Sequence, residues 1–271
     1  MNYSVLMSIY KKENPNYFRQ SIESMLNQIA EPEEIVIVKD GPLTDALDRI
    51  ISEYADKYSS KITVVQLETN VGLGLALNEG LKVCRNELVA RMDTDDISVP
   101  TRCEKQLKCF ANDPNLDIVG TMVDEFYDDP NRPISSRIVP TQHKQICEFA
   151  KRRSPFNHPT VMYKKSKVLA CGGYSDLRRN QDVDLFARML FNGCKAMNIN
   201  ESLLLFRSSD DLLKRRRNWE NTKSYISTIR RLWKMGFSSY RDYLIVSIAQ
   251  LIIFCCPINL QNWLYKTFLR K

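Results

Sequence analysis

Two histidines and eight cysteines without one Cys-x-x-Cys pair leave this 271-residue chain no ligand pattern for a structural zinc. The cysteines, at 84, 103, 109, 147, 171, 194, 255 and 256, read as reduced thiols of a cytosolic protein. No basic n-region precedes the strand-like run Tyr3–Ile9, so no signal peptide is expected. The longest apolar stretch, residues 243–258, is interrupted by Ser247, Gln250 and Pro257. It is shorter than the roughly 20 residues that a spanning helix needs. Gly72-x-Gly74 lacks the third glycine of the dinucleotide fingerprint. There is also no glycine-rich loop after the first strand, where Tyr10-Lys11-Lys12-Glu13-Asn14-Pro15 stands. That absence argues against a triphosphate-cradling nucleotidyltransferase. No internal repeat or low-complexity segment is present.

An apolar fraction of 44% suits a sizeable core. The charge is divided unevenly. Residues 207–271 hold 13 Lys/Arg against 4 Asp/Glu, net +9, while residues 1–206 hold 26 against 28, net −2. A slightly acidic body with a basic tail suits docking on an anionic surface, and charge alone does not choose between membrane and nucleic acid.

The first 120 residues alternate strand and helix patterns, which predicts a mostly parallel sheet covered on both faces. Strands are expected at residues 5–9, 35–38, 62–67 and 87–92, and helices after Asn14-Pro15 and over residues 43–58, 73–83 and 100–110. Beyond residue 118 the pattern loosens. Residues 122–127, 158–163 and 196–206 are expected strands, 128–140 a loop, and 181–191 a helix. A basic helix over 219–233 and the apolar stretch at 243–258 follow.

Within this frame Leu88-Val89-Ala90-Arg91-Met92 runs straight into Asp93-Thr94-Asp95-Asp96. An unpaired buried carboxylate is costly, and ligands of open α/β sheets bind outside the carboxyl ends of strands. The cluster therefore suits a hard divalent ion with a diphosphate. A plain helix-capping turn before Pro100 is the other reading. Three more strand ends share the same rim: Ser8-Ile9-Tyr10, the turn after Val38 with Asp40, and Asn70-Val71-Gly72-Leu73-Gly74.

This ordered set, continued by Asn157-His158-Pro159-Thr160, Gly172-Gly173-Tyr174 and Gln181-Asp182-Val183-Asp184-Leu185, resembles family 2 of the inverting glycosyltransferases with the GT-A fold. The resemblance spans roughly residues 3–207. It is strongest to bacterial enzymes that extend O-antigen or exopolysaccharide repeat units on a lipid carrier. It implies an α/β GT-A domain over residues 1–207, with a nucleotide-sugar half at 1–120 and an acceptor half at 121–207. A basic, apolar helical extension at 208–271 would touch the membrane. It also implies a UDP-sugar donor, Mn²⁺ or Mg²⁺, and an undecaprenyl-diphosphate-linked saccharide acceptor. The enzyme would sit peripherally at the cytoplasmic face of the bacterial inner membrane, with no nucleic-acid partner.

Carried over by position, Asp40 would meet the uracil beside Tyr10, with Asn70, Gly72 and Arg91 also at the donor. Asp93 would hold the ribose or donor sugar, Asp95 the metal, and Asp182 would be the base. Gln181 stands where the family usually has Glu. His158 and Tyr174 would line the acceptor or diphosphate side, Tyr174 by stacking on a sugar, and Arg207 would lie near the diphosphate. The runs 151–153 and 214–217 are candidate anion contacts, and Trp263, Tyr265 and Phe268 with Lys266, Arg270 and Lys271 suit a membrane interface. A non-enzymatic membrane-binding module, the remaining alternative, leaves Asp40, Asp93, Asp95 and Asp182 without a purpose.

Overall fold

The structure is a computed structural model and describes residues 1–208 and 218–255. Strands β1 (Tyr3–Ile9), β2 (Glu34–Lys39), β3 (Ile62–Gln66) and β4 (Leu88–Met92) lie parallel in the order β3-β2-β1-β4. Helices α1 (Pro15–Leu26), α2 (Asp45–Lys57) and α3 (Leu73–Val83) connect them. The α1 start follows from its sequence: the Asn14 side chain accepts from Asn16 N, and Pro15 occupies the first turn, where its missing N–H costs nothing.

Successive strand residues point to opposite faces, and the core divides accordingly. Val5, Met7, Ile35 and Ile37 pack with Phe18, Ile22 and Met25 of α1 and Leu47 and Ile51 of α2. Leu6, Val36 and Val38 pack with Ala76, Leu77 and Leu81 of α3. Both faces are covered, so these strands are continuous apolar runs.

Beyond β4 the sheet becomes mixed. A two-residue strand β5 (Ile97–Ser98) and helix α4 (Arg102–Asn112) precede the long strand β6 (Leu116–Phe126), with β7 (Ser135–Arg137) and α5 (His143–Ala150) following. Then come β8 (Met162–Lys164), α6 (Lys165–Ala170), α7 (Gln181–Phe191) and β9 (Lys195–Arg207). Strand β8 is antiparallel to β4 and β6, and β9 runs parallel to β6 while its end pairs with β5.

Several expectations change. The strand expected at 158–163 splits, because Pro159 sits in a 3-10 turn (His158–Thr160) and the strand starts only at Met162. The loop expected at 128–140 contains β7, and α5 and α6 went unforeseen. The acidic turn does not cap α4: Thr101 is that helix's N-cap and makes no side-chain cap bond.

Among the described residues two helices follow residue 217, α8 (Trp219–Lys234) and α9 (Tyr240–Cys255). Ile229 and Leu232 of α8 pack on Val183 and Ala187 of α7, and Val246 of α9 joins them. No helix among the described residues is long and apolar enough to cross a membrane. The segments 214–217 and 263–271 singled out by sequence lie outside the described residues.

Candidate functional site

Parallel strands bring the ends of β1, β2, β3 and β4 to one rim. The chain order reverses between β1 and β4, and such a switch point opens a crevice for ligands. Tyr10, 39% exposed, stands at one lip. Beside it, the buried Asp40 carboxylate accepts from Asn70 Nδ2 (2.9 Å), Val71 N (2.7 Å) and Gly72 N (3.1 Å). Asp40 thus shapes the loop that leads into α3. Gly72 has φ +91°, a backbone conformation that glycine adopts without a Cβ penalty.

At the opposite lip, oxygens of Asp93, Asp95 and Asp96 lie within 4.8 Å of one another. Arg91, buried in β4, sets its Nη1 2.5 Å from Asp93 Oδ1. Asp96 is fully buried; its Oδ1 accepts from Arg207 N at 2.8 Å, and its Oδ2 has no hydrogen-bond partner. Burial, then Asp93, then Glu13 push the Asp95 carboxyl up to about 7. Burial, with Asp95 and Asp93 beside it, drives Asp96 well above the usual carboxylate range. Mutually repelling carboxylates with an orphaned buried oxygen and an all-oxygen donor set fit a hard divalent cation.

Arg207 braces this turn from beneath. Its Nε donates to Asp95 O (2.9 Å) and its Nη2 to Gln20 Oε1 (2.6 Å), with the guanidinium over the Tyr17 and Phe126 rings. The side chain expected near a diphosphate is thus committed to holding the acids in place, because its donors find carbonyl and amide oxygens inside the fold.

Asp182 occupies the first turn of α7, half-buried. Burial raises its carboxyl above the usual range, although the N–H groups of Val183 and Asp182, Ser154 and Arg91 all favour the charged form. The Tyr174 phenol lies within electrostatic reach of Arg91, Asp182 and Asp93, so one neighbourhood holds the proposed base and the acidic turn. Tyr174 is itself 2% exposed and offers no open ring face for a sugar. Its ring packs against His158 and its hydroxyl meets His158 Nε2 at 2.9 Å. Burial, reinforced by Arg91, lowers the His158 pKa well below its ordinary value, so this imidazole is neutral near pH 7.

Three residues here escaped sequence reasoning. Glu13 accepts from Thr94 Oγ1 at 2.6 Å and ties the β1 loop to the acidic turn. Asn78 clamps the Tyr174 backbone with two 2.8 Å bonds. Asp184, fully buried, accepts from Ser175 Oγ (2.5 Å) and Arg188 Nε (2.9 Å), and its Oδ1 lies 3.4 Å from Arg231 of α8. Only Asp184 carried a signal, as an acid three residues into a helix otherwise turned toward the core.

The family model described as "Glycosyl transferase family 2" matches residues 4–177. An "Uncharacterized glycosyltransferase" of Haemophilus influenzae is 38% identical over 271 residues, all of both chains. The Escherichia coli protein called "UDP-Gal:alpha-D-GlcNAc-diphosphoundecaprenol beta-1,3-galactosyltransferase" is 33% identical over 269 residues, 99% of this chain and 97% of its own. Among solved structures, mannosyltransferase PcManGT from Pyrobaculum calidifontis, in complex with GDP-Man and Mn²⁺, superposes with a TM-score of 0.67 at 14% identity, over 93% of this chain and 69% of that one. The GT-A architecture expected from the sequence is borne out.

Proposed function

This chain belongs to glycosyl transferase family 2, and from that premise we propose that it moves a hexose from a UDP-sugar to a saccharide carried on polyprenyl diphosphate. The hexose is glucose or galactose, plain or N-acetylated, and the pathway is O-antigen or related polysaccharide synthesis. The observation that carries this reading is the convergence of Asp93, Asp95 and Asp96 at the β1/β4 crevice. Tyr10 and the Asp40–Asn70–Gly72 loop flank them on one side, and Arg91 and Tyr174 lie within electrostatic reach of both Asp182 and Asp93. The E. coli relative's name supports the donor and the acceptor class.

In this reading Tyr10 and the loop held by Asp40 receive the uracil, and Asp93 the ribose or donor sugar. Asp95 and Asp96 would hold Mg²⁺ or Mn²⁺, which would supply charge neutralisation at the departing diphosphate. Asp182 accepts the acceptor's hydroxyl proton as that oxygen attacks the anomeric carbon. The bond from this carbon to the diphosphate oxygen breaks, and its electron pair leaves with UDP. One displacement inverts the centre, so an α-linked donor gives a β-glycoside. Titration calorimetry tests the donor site: UDP should bind with Mn²⁺, lose most of its affinity in EDTA, and outcompete GDP. No UDP binding in either condition would overturn the uridine-donor reading.

The acceptor's lipid suggests where the enzyme works. Leu244, Ile245, Ile248, Leu251 and Ile252 of α9 are all exposed and recur on one helical face. We place this face on the cytoplasmic leaflet of the inner membrane, as an interfacial helix. The Ile248→Glu/Ile252→Glu double variant should stay in the lipid-free fraction when floated with phosphatidylglycerol vesicles that carry the native protein upward. Equal flotation of both proteins would remove α9 from the membrane contact.

A further inference from the structure

We infer that Arg178 and Arg179, with Lys12 across the cleft, receive the diphosphate of the nucleotide donor, and that the first turns of α8 complete the wall of that site. The inference rests on the nucleotide-sugar reading above and extends it to residues outside every motif discussed so far.

A cavity of about 820 Å³ opens on the same rim, past the ends of β1 and β3, a size within the usual range for ligand pockets. Tyr10 and Asn70, expected at the nucleoside, line one side of it. Lys12, Arg178 and Arg179 line it too, with Glu220 as the one acidic lining residue among the described residues. Among the described lining residues three cations face one carboxylate, an excess that suits an anion. Guanidinium groups meet phosphate oxygens in a bidentate geometry that few other side chains match.

The two arginines are displayed on a pinned loop. Gly173 (φ +67°) and Asn180 (φ +60°) bend the backbone at its two ends. At Gly173 a Cβ would fall 2.5 Å from Asn78 Oδ1, so the N-terminal bend admits no side chain. Arg188 Nη2 holds Gly173 O at 2.7 Å, and Asn180 Nδ2 donates to Ser224 Oγ of α8 at 3.2 Å. Arg188 in turn is paired with Asp184, whereas Arg178 and Arg179 have no ion pair among the described residues. Their segment therefore has fixed ends, and their side chains are exposed at the cleft.

Ser224 also lines the cavity, as does Asn218, the N-cap of α8. The donor cleft thus crosses the boundary drawn at residue 207 and is incomplete without the helix that follows.

Calorimetry on the full chain with Mn²⁺ tests this with two probes, UDP and UMP. The Arg178→Ala/Arg179→Ala variant should lose about tenfold or more in UDP affinity, as expected for charged hydrogen bonds, with a much smaller change for UMP. Arg178→Lys/Arg179→Lys should recover part of the loss. Retained UMP binding reports an intact fold. Unchanged UDP affinity in the alanine variant overturns the inference. If the KM for the lipid-diphosphate acceptor rises instead, these arginines serve the acceptor's diphosphate. Failure of the native chain to bind UDP would count against the donor reading itself, and so is a separate outcome.

Discussion

Replacing Asp182 with asparagine is expected to lower kcat by about 100- to 10,000-fold, the usual contribution of a positioned general base, while UDP affinity stays unchanged. Asparagine matches the carboxylate in shape and can still accept from the N–H of Val183 at the start of α7. It cannot take a proton. Burial sharpens the case, because a carboxyl held above its usual range is a stronger base once ionised. The same shift fixes the pH dependence. The base must be unprotonated, so kcat/KM should fall as the pH drops through the raised Asp182 pKa. Single-turnover transfer to a lipid-linked acceptor, run beside a thermal melt, separates this from a helix-end role for the charge. A variant that melts lower yet turns over normally would assign Asp182 to the helix alone.

Asp95→Asn should abolish Mn²⁺-dependent UDP binding and, in the metal-free protein above pH 7, raise Tm. Both effects come from the same carboxylate. Its folded pKa of about 7 stands above its unfolded value of about 3.9. Below the unfolded pKa both states hold the proton and nothing is lost. As the pH rises toward 7 the folded state must give up a proton it binds more tightly than the unfolded chain does. The resulting destabilisation is complete above pH 7. Removing the charge relieves its repulsion of Asp93 and the desolvation at that site. Each kcal/mol released corresponds to roughly 2–4 °C for a domain approaching this size. Scanning calorimetry in EDTA at pH 8 and pH 5 tests the sign, and the native–variant gap should narrow at pH 5. A variant that melts lower at pH 8 would mean that the acids are not under mutual strain. The native cluster thus gives up stability at the position where function needs charge.

What was legible in the sequence followed from local chemistry. Strands β1, β2 and β4 announce themselves because burial on both faces makes them nearly continuous apolar runs, whereas β3, at the sheet edge, is half-exposed. Each ends in polar or glycine-bearing turns, so Tyr10, Asp40, Asn70 and Asp93 could be placed on one rim before any coordinates. The part beyond residue 118 resisted for a different reason. Strand β6 pairs with β7, β8 and β9, and its neighbours are set by tertiary contact rather than by periodicity. Helix α6 has only six residues, too short for a helical repeat to show. Asp96, given no role of its own by the sequence, is the most buried of the three acids. Glu13 follows Tyr10 by three residues, but its partner Thr94 is 81 residues distant. Arg178 and Arg179 belong to no motif in the sequence, and the cavity that they border is walled by a helix beginning 40 residues later. Such placements are properties of the assembled fold.

Arg207 shows what that assembly entails for the nascent chain. Its backbone N–H reaches Asp96 across 111 residues, and its guanidinium reaches Gln20 across 187. Loop closure over such separations costs entropy that only the late contacts return, and topologies dominated by distant pairings fold slowly. The first four strands can be synthesised, and can pair, long before Arg207 leaves the ribosome. Their acidic turn would then be without its brace, so the order of synthesis leaves that turn unbraced until late.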